Sequence, residues 1–377
     1  MTHILRRMSK YIHQISGWPQ FNWKIDAFLP LLTEVRNKQG ILTGKMDAIG
    51  FNLQNEAYLE TLSQDVIKSS EIEGEILDTQ QVRSSIARKL GIDIGGLVNS
   101  DREVEGIVEM MMDATQNYKS ELNEERLYGW HSALFPTGRS GMHKIIVGNW
   151  RDDSIGPMQV VSGPMGKETI HFEAPAAKIL KDEMQIFLDW GNSPNGNDPV
   201  INAAISHLWF ITIHPFEDGN GRIARAITDM MLCRSENKTQ RFYSMSSQIK
   251  EQKKEYYDIL ESTQKGTLDV TEWLAWFLEC LSNAIDSSST IVHKIMAKHK
   301  FWNEHKTITL NERQIKVIEL LFGNFFGNLT TSKWAKINKC SQDTALRDIQ
   351  DLIEKEILKK SKSGGRSTNY ELINTSS

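Results

Sequence analysis

Pro215 places the tightest constraint on how this chain of 377 residues can fold. Apolar residues recur at helical spacing from Val200 to Ile213, and a proline at 215 disfavours the α conformation at His214. The pattern predicts a helix that stops at the histidine and leaves its imidazole at a helix-to-loop junction. Phe216, the one large apolar residue of the loop, anchors it to the core. Gly219 and Gly221 then flank Asn220, a composition suited to positive φ and to backbone N–H groups converging on one concavity. A helix predicted from about Asn220 to Cys233 adds its unpaired N–H groups and positive dipole end. The stretch reads as an anion site.

Arg222 and Arg225 are three residues apart, so on that helix two guanidinium forks share a face and can hold several phosphate oxygens. Asp218 alone would repel a phosphate, which points to a divalent cation with oxygen ligands, most naturally Mg²⁺, between them. His214 is left as a general base beside the phosphate. Singly, each residue has an ordinary use as cap, turn or surface charge; the whole string HPFEDGNGRIAR, His214 to Arg225, points to function. GNGRIA also satisfies G-x-G-x-x-A, but RFYSMSSQIK lacks the acidic residue that a dinucleotide fold carries about 20 positions later, and no βαβ alternation surrounds the site. A dinucleotide fold is excluded on context.

Helical spacing also runs from Trp23 to about Leu90, from Arg102 past Met112, from Ala176 to Trp190, from Ser247 to Gln264 and from Val270 to Ala297. In LNEERLYGWHSALF, Leu127, Trp130, His131 and Leu134 share a face, so His131 reads as a packed core histidine. Between Val147 and Pro164 the text turns rich in Gly, Asp, Ser and Pro with short β-branched runs, predicting a hairpin or flap. From about Thr309 three amphipathic helices are followed by KKSKSGGRSTNYELI, which predicts a hairpin turning at Gly364-Gly365.

Hydrophobic content of 40%, charged content of 24% and 9 prolines exclude a disordered chain. A net charge of −4 argues against a surface built throughout for nucleic acid. Cys233, Cys280 and Cys340 lack metal or redox spacing and read as reduced thiols. No signal-peptide core or membrane span is legible, so the expected location is cytoplasmic, with no membrane partner.

HPFEDGNGRIAR resembles the signature of the Fic family (filamentation induced by cAMP), H-P-F-x-[D/E]-G-N-G-R-x-x-R, at every defined position. The resemblance implies a mostly α fold: a Fic helical core with a small β-hairpin flap at 101–297, a helical N-terminal domain at 1–100 and a C-terminal winged helix-turn-helix at 306–377. It implies a protein adenylyltransferase, a nucleotidyltransferase that moves AMP from ATP onto a hydroxyl side chain of a target protein or of itself and releases diphosphate. His214 would be the base. Asp218 would hold Mg²⁺ or Mn²⁺, and Gly219, Asn220 and Gly221 would cradle the phosphates. Arg222 would stabilise charge on them, and Arg225 would bind the γ-phosphate. Met158, Gln159, Val160, Val161, Ser162 and Gly163 lie where the family carries its target-docking flap, with Val161 also against ATP. Tyr256 falls where the family places an aromatic contact to the nucleoside.

SSEIEG matches the family's inhibitory pattern [S/T]-x-x-x-E-[G/N] as Ser69, Glu73 and Gly74. A Glu73 carboxylate on Arg225 would occupy the guanidinium meant for the γ-phosphate, so the resting protein is expected to inhibit itself. Two alternatives stay open. One is removal of AMP in the same site. The other is a nucleotide-sensing DNA-binding regulator, since the chain from Lys306 onward holds 12 Lys/Arg against 8 Asp/Glu; such a winged helix can equally serve as a protein-docking or homodimer contact.

Overall fold

The computed structural model describes residues 10–49, 51–92, 96–154, 156–164, 166–322, 325, 327–361 and 368–373. These form two compact units, 1–289 and 290–377. The expected turn at Gly364-Gly365 lies outside the described residues.

The first unit is mostly helical. It holds α1 (Leu29–Ala48), α2 (Phe51–Ile72), α3 (Thr79–Leu90), α4 (Arg102–Gln116), α5 (Glu124–Leu134), α6 (Leu180–Asn192), α7 (Pro199–Ile213), α8 (Asn220–Glu236), α9 (Met245–Glu251) and α10 (Lys253–Gln264). α11 (Thr271–Glu304) carries the chain into the second unit. Side-chain caps start many of these helices: Asp78, Asp101, Asn123, Asp198 and Ser244 each accept a hydrogen bond from a backbone N–H in the first turn. Pro199 occupies the first position of α7, where its missing N–H costs nothing. Two short antiparallel pairs interrupt the helices: β1 (Arg139–Ser140) with β2 (His143–Lys144), and β3 (Gln159–Ser162) with β4 (Thr169–Glu173). The expected flap is therefore a hairpin whose first strand lies in Val147–Pro164 and whose second is the later TIHFE.

α7 is the axis of this unit. Every residue from Ala203 to Ile213 is buried, so the helix is apolar all round rather than along one stripe. Burying a side chain such as Leu208, Phe210 or Ile213 contributes about 1.5–3 kcal/mol. α8 packs along α7 and also meets α4 and α5, while α2 packs against α9 and α3. A buried charge cluster joins α2 to α8: Arg241 binds Asp229 of α8 and lies 3.6 Å from Asp65 of α2. Among the described residues no helix is long and apolar enough to cross a membrane.

The second unit contains α12 (Glu312–Phe322), α13 (Thr331–Asn338) and α14 (Gln342–Glu354), then an antiparallel pair, β5 (Leu358–Lys360) with β6 (Tyr370–Leu372). Trp334, Ile349, Leu352 and Leu358 build its core. Leu329 bridges to Tyr370, so a third short segment lies beside the pair.

α4 and α5 approach closely at Gly106, where a Cβ would sit 1.8 Å from the Ala133 carbonyl oxygen. Gly106→Ala is expected to destabilise the first unit by about 1–3 kcal/mol, because backbone must shift. Urea unfolding measures it, and an unchanged midpoint would contradict the packing.

Candidate active site

The end of α7 delivers His214 in a left-handed conformation, φ 52° and ψ 58°, with its N–H donating to the Phe210 carbonyl at 2.9 Å. A non-glycine residue there costs on the order of 1 kcal/mol and persists only where its surroundings over-determine it. Arg151 does so. Its Nε donates to the His214 carbonyl at 2.8 Å, Nη2 to the Pro175 carbonyl at 2.6 Å and Nη1 to Asp153 at 3.2 Å. Its own backbone N–H reaches the Pro215 carbonyl at 2.9 Å. His214 Nδ1 donates to the Ile211 carbonyl at 3.2 Å, which leaves Nε2 as the free lone pair. Burial pushes this imidazole down to about 4, the Ile211 hydrogen bond opposing. At neutral pH the ring is fixed in place and uncharged.

The loop after it is held from inside. Phe216 is fully buried and stacks on His131 at 4.1 Å between ring centroids. His131 Nδ1 accepts from the Gly148 N–H, so Nε2 donates to the Asp218 carbonyl at 3.2 Å. The Asn220 side chain accepts from the Phe216 N–H at 3.0 Å and donates to the Phe216 carbonyl at 2.8 Å, so it ties the loop and does not face the concavity. Gly219 has φ 79°, and a Cβ on it would meet the Phe135 ring at 2.8 Å. Asp218 accepts from the Gly219 N–H at 2.6 Å through one oxygen and from the Ser140 hydroxyl through the other.

Arg222 and Arg225 follow on α8, both about 97% removed from solvent. Arg225 donates to the Ser69 hydroxyl at 2.8 Å, the Ser69 carbonyl at 2.9 Å and Glu73 Oε1 at 2.8 Å. Arg222 pairs with Glu75 and lies over the Phe135 ring at 5.1 Å. Glu75, not singled out by its sequence, has its carboxyl raised by burial, with Arg222 opposing. Glu73 presses against the first turn of α8: a Cβ on Gly221 would lie 2.1 Å from Glu73 Oε1. Among the described residues, Arg222 Nε and Arg225 Nη1 are buried donors with no hydrogen-bond partner.

Residues 121–232 match the Fic/DOC family, and residues 11–92 match the domain of unknown function DUF4172. The chain carries a Fic/DOC domain. "Protein adenylyltransferase Fic" of Drosophila mojavensis is 25% identical over 238 residues, 62% of this chain and 41% of that protein. "Protein adenylyltransferase fic-1" of Caenorhabditis briggsae is 30% identical over 166 residues, 44% of this chain and 30% of that protein. The chain thus spans less than half the length of either relative. The fold is similar to the crystal structure of a Fic family protein from Desulfovibrio desulfuricans G20, with a TM-score of 0.53 at 19% identity, covering 93% of this chain and 97% of that one.

Around the Fic signature the remaining residues divide. Met158 and Val160 pack inward against Tyr11 and Phe172, whereas Val161 is half exposed after an irregularity between positions 160 and 161. Gln159 binds Glu173 at 2.8 Å, and Gly163, φ 101°, closes the strand. Gly74, φ 91°, lets the chain turn after Glu73. Tyr256 is buried with its hydroxyl 2.8 Å from His207 Nε2; the exposed ring of this turn belongs to Tyr257. Arg151, His131 and Glu75 were not marked as site residues by sequence, and each acts through a contact more than fifteen residues away along the chain.

Because its folded value lies below the ordinary 6.5, the neutral His214 ring contributes stability that is present above pH 6.5 and lost as pH falls toward 4. Ring NMR is expected to show His214 neutral at pH 6 and half-protonated near 4; a midpoint at 6.5 would contradict the buried, Nδ1-bonded geometry.

Proposed function

We propose that this chain is a protein adenylyltransferase held in an inhibited state by two glutamates. The observation that carries the reading is the pair of buried arginines whose unpartnered N–H groups flank the first turn of α8 while Glu73, Glu75 and Ser69 take other donors of the two side chains. Two buried guanidinium groups, a helix N-terminus and a glycine-lined turn suit a triphosphate and little else in this setting. ATP phosphates would lie against Gly219 and Gly221, with Arg222 and Arg225 meeting their charge and Asn220 keeping the turn in shape. His214 Nε2 would take the proton from the target hydroxyl as it attacks the α-phosphorus. Diphosphate leaves. Catalysis of this kind rests on position and charge stabilisation rather than on a covalent enzyme intermediate.

Asp218 suits Mg²⁺ or Mn²⁺: a hard carboxylate oxygen at the phosphate turn, shared with phosphate oxygens and water, is how such ions are commonly held. That ion would neutralise phosphate charge. The half-exposed Val161 and the outer edge of β3 support strand addition by an extended target segment, with Val161 also beside the nucleotide. Tyr257, rather than the buried Tyr256, is the ring free to stack on a base. We read 1–100 as the helical domain carrying the inhibitory contact, 101–297 as the catalytic domain and 306–377 as a winged helix, whose element order of three helices and a hairpin supports that reading.

Glu73 shares space with a Cβ on Gly221 and a hydrogen bond with Arg225, so ATP in a productive pose and the Glu73 contact exclude each other. Glu75 adds a second contact, on Arg222. A charge-assisted hydrogen bond is worth about 1.5–3 kcal/mol, so Glu73→Gly is expected to raise AMP transfer to lysate proteins by about 10-fold or more. Glu75→Gln in that background should add a smaller increase, since Glu75 is nearly half exposed. His214→Ala should abolish that transfer. Labelled ATP and gel autoradiography read all three; unchanged labelling in a folded Glu73→Gly protein would sink the inhibition, and labelling that survives His214→Ala would remove the base.

A further inference from the structure

The Asp218 carboxylate is held at both of its oxygens. The Gly219 N–H donates to Oδ1 at 2.6 Å, and the Ser140 hydroxyl donates to Oδ2. The first bond lies within the turn itself. The second comes from β1, 78 residues earlier in the chain, and the transfer chemistry above makes no use of it.

β1 and β2 form a tight hairpin with Ser140 opposite His143. Gly141, φ 54°, takes the first position of the two-residue turn, where a left-handed backbone matches the twist of the strands. Arg139 Nη1 donates to the Met142 carbonyl at 2.9 Å, and the Ile145 N–H donates to the Gly138 carbonyl at 3.1 Å. Other contacts fasten this hairpin and the chain after it to the loop that follows α7. The Ile146 N–H donates to Glu217 Oε2 at 2.7 Å. The Gly148 N–H donates to His131 Nδ1 at 3.4 Å, and that ring in turn holds the Asp218 carbonyl. These bonds place the hairpin without help from Ser140. Its hydroxyl adds one donor, aimed at one oxygen of one carboxylate.

An ionised carboxylate offers about four lone-pair sites, so the two bonds fix its plane and still leave a site open on each oxygen. Asp218 is half-buried, which keeps those sites within reach of an ion from solvent. Mg²⁺ demands near-ideal octahedral positions at about 2.0–2.1 Å, and a carboxylate that is already oriented gives up less freedom on meeting that demand. Groups that orient a metal ligand contribute roughly 10- to 100-fold in metal affinity.

We propose that Ser140 is a positioning residue of the metal site, its hydroxyl orienting the Asp218 carboxylate for the divalent cation; this rests on the reading of Asp218 as the metal carboxylate in adenylyl transfer. Ser140 acts through Asp218 and not through the nucleotide. Its effect therefore falls on metal affinity, while the arginine contacts to phosphate and the His214 base stay in place.

The test uses the full chain carrying Glu73→Gly with α,β-methylene ATP, which cannot transfer AMP, titrated with Mn²⁺ while electron paramagnetic resonance follows the free ion. Ser140→Ala is expected to weaken Mn²⁺ binding about 10-fold or more, Ser140→Thr to restore most of it, and Asp218→Asn to abolish it. In transfer assays with ATP, the Mg²⁺ concentration giving half-maximal rate should rise by a similar factor in Ser140→Ala, with a smaller fall in the maximal rate. Binding of the analogue in EDTA should be the same in Ser140→Ala and its parent. Thermal melting of each variant confirms folding. Undiminished Mn²⁺ affinity in folded Ser140→Ala, beside a loss in Asp218→Asn, overturns this proposal and leaves Asp218 as the metal carboxylate. Equal weakening in Ser140→Thr and Ser140→Ala also overturns it, because the hydroxyl is then not what matters. Mn²⁺ binding that survives Asp218→Asn overturns the metal reading and this proposal together.

Discussion

The contact between Arg225 and Glu73 ties the end of α2 to the first turns of α8. A guanidinium about 98% removed from water is costly to bury without partners, and Arg225 has three: the hydroxyl and carbonyl of Ser69 and one oxygen of Glu73. Ser69 belongs to α2 and Glu73 follows it one turn later, so the end of one helix supplies the counter-charge for the start of another. The buried Arg241 cluster joins the same two helices farther along. α2 is consequently fixed against α8 at two levels, and the Glu73 carboxylate beside Gly221 is presented by the end of a packed helix rather than by a loose tail.

His214 and the Gly219–Gly221 turn depend on a different set of contacts. α7 is buried on every side, which gives its C-terminal end a defined position, and Arg151 gathers the carbonyls of His214 and Pro175 with the carboxylate of Asp153. Burial then keeps the His214 ring uncharged, and its Nδ1 hydrogen bond selects the nitrogen that remains available. His131 supports the neighbouring carbonyl of Asp218 through a ring that is itself packed on Phe216. Helix, loop and imidazole form one packed assembly.

Much of this was legible before any coordinates. The stop at Pro215, the left-handed turn at Gly219, the two arginines on one face and the Ser69–Glu73 spacing are local patterns, and local patterns survive in one dimension. His131 was legible as a core histidine from its apolar stripe, but its hold on Asp218 was not, because that contact spans 87 residues. Arg151 and Glu75 were hidden for the same reason. The flap was expected within Val147–Pro164, yet its second strand lies at Thr169–Glu173, where the run TIHFE gave no turn signal of its own. Between Tyr256 and Tyr257, adjacent on a helix and about 100° apart in direction, only packing decides which ring faces solvent.

The Asn220 side chain closes a two-bond ring with the backbone of Phe216 and so completes the turn without any ligand. A loop stapled in this way already has the shape that a phosphate would otherwise have to impose on it. Its dipoles require no reorientation when charge develops nearby, so the barrier that water would present through its own rearrangement is largely absent. The asparagine thus acts as a mould that keeps the backbone donors around it still.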